Sequence, residues 1–213
     1  NEPFSSLAQV VPGLYSRCIT INGCSKGFAM TGWRIGYCGG PAEVIAAMAT
    51  IQGQSTTNAA TMSQHAAIAA LNGPQDEVAR MNESFRQRHD FFVAGLNALP
   101  GISCLPGAGT FYAFADVRGA MQQLGFRDDV AFADFILSDA LVAGVPGSGF
   151  GAPGHLRLSF AVSQPTLAKA LARATGREYE VPEAAVTPAH EFLLGMVAPE
   201  YRGPDSGFFD AEV

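Results

Sequence analysis

From Gln75 to Leu99, charged and apolar positions alternate at helical spacing, and the pattern persists for about seven turns of 3.6 residues. It predicts one long helix, and a helix of that length usually joins two bodies. Upstream, Arg17–Asn22 is a β-branched run closed by Gly23, which predicts a buried strand running into a loop. Trp33–Tyr37 predicts the next strand, stopped by Cys38-Gly39-Gly40-Pro41, and Pro41 suits the first turn of a helix through Ile51. Asn58–Leu71 is Ala-rich and apolar at helical spacing, ending at Asn72-Gly73-Pro74.

Beyond Pro100-Gly101 the period changes again. Ile102–Leu105 and Thr110–Val117 predict strands separated by Pro106-Gly107-Ala108-Gly109, and Leu141–Val145 and His155–Ala161 predict two more. Asp129–Ala140 and Gln164–Thr175 predict helices, the first with Asp128 and Asp129 favourably placed at its positive end. Strands and helices interleave on both sides of the long helix, an α/β layout. The expected organisation is a body over 1–74, a connecting helix over 75–99, a second body over 100–175 and an atypical tail over 176–213. That tail is rich in proline and acidic residues, with an apolar stretch at Phe192–Val197.

Composition narrows the class. With 48% hydrophobic and 15% charged residues, the 213-residue chain is globular rather than disordered. A net charge of -6 without any basic block argues against a nucleic-acid partner. Cys18, Cys24, Cys38 and Cys104 form no CxxC pair, and His65, His89, His155 and His190 add no ligand spacing, so no metal site is expected. Reduced thiols in a cytoplasmic protein are the expectation. The opening residues have neither a basic start nor an apolar stretch, which predicts no signal peptide and no membrane span. The absence of an initiator methionine suggests a chain cut from something longer.

One segment carries candidate chemistry. In Gly23-Cys24-Ser25-Lys26-Gly27-Phe28-Ala29-Met30-Thr31-Gly32-Trp33-Arg34-Ile35-Gly36, a hydroxyl, an amine and a guanidinium recur between glycines and apolar residues. The bland reading is a turn bearing two surface cations. Arg157, within the apolar run Leu156-Arg157-Leu158-Ser159-Phe160, is a second candidate, because a guanidinium there needs an anionic partner. That partner is either a ligand or a structural acid such as Asp116 or Asp134.

The lysine segment resembles that of the class I and II, fold type I, pyridoxal-phosphate-dependent aminotransferases, most like the bacterial aspartate-type members. The resemblance runs from about Leu14 to Arg173. It includes Ser55-Thr56-Thr57-Asn58, Gly109-Thr110-Phe111-Tyr112-Ala113-Phe114, Val145-Pro146-Gly147-Ser148-Gly149-Phe150 and His155-Leu156-Arg157-Leu158-Ser159-Phe160, in family order. It implies the type I α/β fold, with 1–74 as part of the large cofactor-binding domain and 100–175 as the small domain. It further implies pyridoxal 5'-phosphate as cofactor and Lys26 as the Schiff-base lysine and proton carrier. Ser25 and Arg34 then bind the phosphate, Thr57 and Asn58 reach the phosphate of the neighbouring subunit in a homodimer, and Arg157 grips the substrate α-carboxylate.

The implied reaction is amino-group transfer between an aspartate-like amino acid and a 2-oxo acid. Each role has a plainer alternative: a turn hydroxyl for Ser25, helix caps for Thr57 and Asn58, strand core and pocket wall for Phe111 and Tyr112, and apolar filling for Cys24. The chain also departs from the family. Gly23 stands where a phosphate-binding serine is common, and the family's glycine-rich loop, ring-stacking aromatic and pyridine-binding aspartate have no counterpart here. The expectation is therefore the carboxyl-terminal half of an aminotransferase, with its activity alone left open. Alternatives are a non-catalytic interaction remnant or another fold type I lyase or decarboxylase.

Overall fold

The computed structural model describes residues 5–174. The expected tail, with Phe192–Val197, lies outside the described residues. The chain divides into two compact units between Ser84 and Phe85.

The first unit opens with helix α1 (Leu7–Val10), whose N-cap Ser6 accepts the Gln9 N–H through Oγ at 3.3 Å. A 3₁₀ turn over Pro12–Arg17 leads to strand β1 (Thr20–Gly23), the short helix α2 (Cys24–Gly27), a 3₁₀ turn at Thr31–Trp33 and strand β2 (Gly36–Gly39). Helices α3 (Ala42–Ser55) and α4 (Thr61–Asn72) follow, and α5 (Asp76–Asn97) begins in this unit. β1 and β2 form an antiparallel pair with Thr20 opposite Gly39 and Gly23 opposite Gly36.

Two expectations shift here. The strand forecast over Arg17–Asn22 forms at Thr20–Gly23 and is not buried: Ile21 is 79% exposed. A β-branched run encodes the extended backbone, whereas burial needs a second layer that the run cannot specify. The strand forecast from Trp33 begins only at Gly36, because Trp33 closes a turn and Arg34 has φ 49. Left-handed backbone cannot continue a strand.

The second unit is a four-stranded antiparallel sheet of β3 (Ser103–Cys104), β4 (Tyr112–Asp116), β5 (Val145–Pro146) and β6 (His155–Ser159), in the order β3-β4-β6-β5. Helices α6 (Arg118–Leu124), α7 (Asp129–Asp139) and α8 (Gln164–Ala174) complete it. Strand alternation sends Ala113, Ala115, Leu156 and Leu158 into the core with Phe92 and Leu96 of α5, Phe132 of α7 and Leu167 of α8. Tyr112, Phe114, His155 and Arg157 are left on the other face. Helix α6 lies outside the predicted set, since seven residues are too few to establish a period. β5 is shorter than forecast because Leu141 adopts φ 53.

Asn97 fastens the edge strand. Its amide donates to the Cys104 carbonyl at 2.9 Å and accepts the Cys104 N–H at 2.8 Å, imitating a neighbouring strand. On the helix side of the sheet a cavity of about 420 Å³, walled by Phe92, Leu96, Ala115, Leu156 and Leu171 among others, is lined by none of Ser25, Lys26, Arg34, Thr57, Asn58 and Arg157.

Candidate functional site

Because Gly23 and Gly36 pair across the hairpin, residues 24–35 form one closed loop at that end. Ser25, Lys26 and Arg34 all lie on it. Within the loop, the Phe28 N–H donates to the Cys24 carbonyl at 3.2 Å, the Met30 N–H to Ser25 at 3.1 Å and the Arg34 N–H to Thr31 at 3.4 Å. Cys24 is fully buried, Ser25 is half-buried, and Lys26 and Arg34 are exposed. The Arg34 guanidinium donates from Nη1 to the Thr31 carbonyl at 3.2 Å. A residue not singled out from the sequence holds the loop from outside: buried Ser63 of α4 donates Oγ–H to the Trp33 carbonyl at 2.7 Å.

Thr57 and Asn58 lie in the connection between α3 and α4. Thr57 donates its N–H to the Gln52 carbonyl at 2.9 Å and has φ 69. For a β-branched residue this backbone is strained, by about 1–3 kcal/mol. Neither residue caps α4, whose N-cap is Ala60 without a side-chain bond. Arg34 and Thr57, both expected on the phosphate side, thus share left-handed backbone.

Arg157 lies in the second unit, opposite Phe114 on one side and Val145 on the other. Its guanidinium carbon is 4.4 Å from the Tyr112 ring centre and 4.7 Å from that of Phe150. Two aromatic faces attract the cation while leaving its edge donors unused. Among the described residues Arg157 joins no ion pair. Asp116, one of the acids considered for it, is bound by Arg118, with Nη2 2.5 Å from Oδ2. The Arg118 side chain holds the Asp116 carboxyl down to about 2. Nearby, Phe114 stacks on His155 with centres 5.1 Å apart.

Asp128 and Asp129 divide their labour. Asp128 caps α7, accepting the Ala131 N–H at 2.8 Å. Asp129 is 2% exposed, and its Oδ2 accepts the N–H groups of Ser148 at 2.8 Å and Gly154 at 3.1 Å. Burial pushes its carboxyl up, but these donors outweigh burial and hold it below the usual range. A signal existed in the sequence: Asp129 precedes buried Phe132 and Ala133 by three and four residues, placing an acid on the apolar helix face.

The structure therefore brings Ser25, Lys26 and Arg34 onto one loop, sets Thr57 and Asn58 elsewhere in the same unit, and carries Arg157 in the other unit.

The family model for aminotransferases of class I and II matches residues 2–174. The aspartate/prephenate aminotransferase of Nitrosomonas europaea is 48% identical over 179 residues, covering 81% of this chain and 45% of that protein. An aspartate aminotransferase of Rhizobium meliloti is 46% identical over 175 residues, covering 80% and 43%. The crystal structure of the aspartate aminotransferase from Rhizobium meliloti superposes with a TM-score of 0.77 at 45% identity, covering 81% of this chain and 44% of that one. The chain spans just under half the length of these relatives.

Proposed function

The chain belongs to the class I and II aminotransferases, and from that premise we propose that it serves a pyridoxal-phosphate-dependent amino-group transfer between an aspartate-like amino acid and a 2-oxo acid. The observation that carries this reading is the closed loop bearing Ser25, Lys26 and Arg34 between the paired Gly23 and Gly36.

The donor set fits the cofactor. A phosphate needs hydroxyl and guanidinium donors, and Arg34 has no ion-pair partner among the described residues. Ser25 and Arg34 would hold the phosphate, and Lys26 Nζ would anchor the aldehyde carbon. Thr57 and Asn58 would reach the phosphate of a second subunit. When bound, pyridoxal phosphate supplies the electron sink for charge at the substrate α-carbon. Lys26 Nζ would carry the proton to and from that carbon. Arg157 grips the α-carboxylate with two parallel N–H donors and so orients the bond to be broken.

The same reading extends to organisation. Residues 1–74 belong to the cofactor-binding domain, 100–175 to the small domain, and 75–99 join them in a cytoplasmic homodimer. Among the described residues no helix is long and apolar enough to cross a membrane.

The test has two stages. Adding pyridoxal phosphate to the chain should produce the absorbance band of covalently bound cofactor, absent in Lys26→Ala. Incubation with aspartate and 2-oxoglutarate should then release glutamate in step with oxaloacetate. Ammonia or carbon dioxide in place of glutamate would assign a lyase or decarboxylase. A flat spectrum from the folded chain would assign a non-catalytic role.

A further inference from the structure

The turn that brings Phe150 to Arg157 is tied to helix α7 through one buried side chain, Asp129. Residues 147–154 join β5 to β6, and the turn is tight: the Gly151 N–H donates to the Ser148 carbonyl at 3.1 Å and the Ala152 N–H to Gly147 at 3.0 Å. Both ends of the turn also require glycine. A Cβ at Gly147 would meet the Ala152 carbonyl oxygen, and Gly154 has φ 77 with Arg118 against the place a Cβ would occupy. Asp129, on α7, bonds both the second residue of the turn and its last one through one oxygen. Phe150 stands between those two anchors.

From this geometry we infer that Asp129 is a positioning residue for substrate binding: it sets the Gly147–Gly154 turn so that the Phe150 ring covers the Arg157 guanidinium. The inference rests on the reading of Arg157 as the carboxylate fork. Asp129 does not touch Arg157 itself. It acts through the turn, and the pathway is Asp129 to the Ser148 and Gly154 amides, the backbone of the turn, the Phe150 ring and the Arg157 cation. The physical benefit is preorganisation. A guanidinium held against both Tyr112 and Phe150 has less rotamer freedom to lose when the carboxylate arrives, so that cost is smaller on binding. A second benefit is that the rings hold the cation without an acid and leave its N–H donors for a planar anion.

Arg157 offers a direct readout, because its Nε–H proton resonance feels the ring current of Phe150. The full 213-residue chain would be compared with Phe150→Ala, which defines the resonance position without the ring, and with Asp129→Ala. The expected result is that Asp129→Ala moves the Arg157 signal toward its Phe150→Ala position and weakens succinate binding by about tenfold, the size of one lost desolvated cation–π contact. Asp129→Asn, whose amide oxygen still accepts both N–H groups, should restore both.

If Asp129→Ala does not fold, Asp129→Glu takes its place, keeping a charged acceptor but setting it one methylene further out; the same displacement is expected. An Arg157 signal at the wild-type position in either folded variant would overturn the inference. A wild-type chain whose Arg157 signal ignores succinate would instead sink the carboxylate reading, while the resonance positions would still decide the role of Asp129.

Discussion

The guanidinium of Arg157 lies over the ring of Tyr112, 4.4 Å from its centre, one strand away in the antiparallel sheet. The register places Tyr112 opposite Ser159 and Phe114 opposite Arg157, so the ring is reached along a diagonal of the pairing. Diagonal neighbours in a sheet lie within reach of long and aromatic side chains. The cation is thereby held without a carboxylate, which suits a group whose anion arrives with the substrate.

Replacing Arg157 by lysine should keep the charge and lose the function. A lysine cannot make two parallel bonds to a carboxylate and stacks less well between rings. Succinate affinity is expected to fall by about ten- to a hundredfold, equivalent to roughly 1.5–3 kcal/mol. Tyr112→Leu should cost less, about 0.5–2 kcal/mol, the worth of a cation–π contact. Isothermal titration of both folded variants checks the order, and a lysine variant that binds like wild type would contradict the fork.

Ser63→Ala should loosen the lysine loop from a distance of thirty residues. It removes the hydroxyl that donates from α4 to the Trp33 carbonyl, at a cost of about 1 kcal/mol. Trp33 is the single tryptophan of the chain, so its fluorescence reports on the loop without a label. A shifted emission maximum with unchanged far-ultraviolet dichroism is expected. Identical emission in the two chains would mean that the hydroxyl does not hold the loop.

Asn97→Ala should destabilise the second unit by about 1–3 kcal/mol, because it strips hydrogen bonds from both backbone groups of Cys104. Urea denaturation should show a lower midpoint, and hydrogen exchange should quicken at Cys104 before it does in β6. Uniform quickening across the sheet would argue against a local clamp.

Acid should weaken the contact between Asp116 and Arg118. The side-chain hydrogen bonds from Arg118 lower the Asp116 carboxyl from 3.8 to about 2. A carboxyl lowered on folding stabilises in full above its ordinary value, and that contribution is lost as the pH falls through the folded value. Arg118→Met should therefore lose less stability than wild type between about pH 4 and about pH 2. Arg118 is 70% exposed, so the difference is small and shrinks with salt. Denaturation curves across that window decide it, and parallel losses in both chains would remove the pair from the account.

What was legible in the sequence follows one rule: features set by neighbours within a few residues. The periodicity of Gln75–Leu99 foreshadowed α5 at Asp76–Asn97, the alternation Leu156-Arg157-Leu158 placed the arginine opposite two buried leucines, and Asp128 fell at a helix start. The spacing of Ser25, Lys26 and Arg34 is also local and carried the family resemblance. Tertiary structure decided the rest. Trp33 and Arg34 left the strand because their backbone turns, Ile21 stayed exposed, and Asp129 turned inward to amides 19 and 25 residues away. Local spacing repeats with the chain's own geometry, so it can be read by eye. Which ring covers Arg157, and which oxygen holds that ring in place, depends on strand register and on the path of a loop, and neither is encoded in any short window of residues.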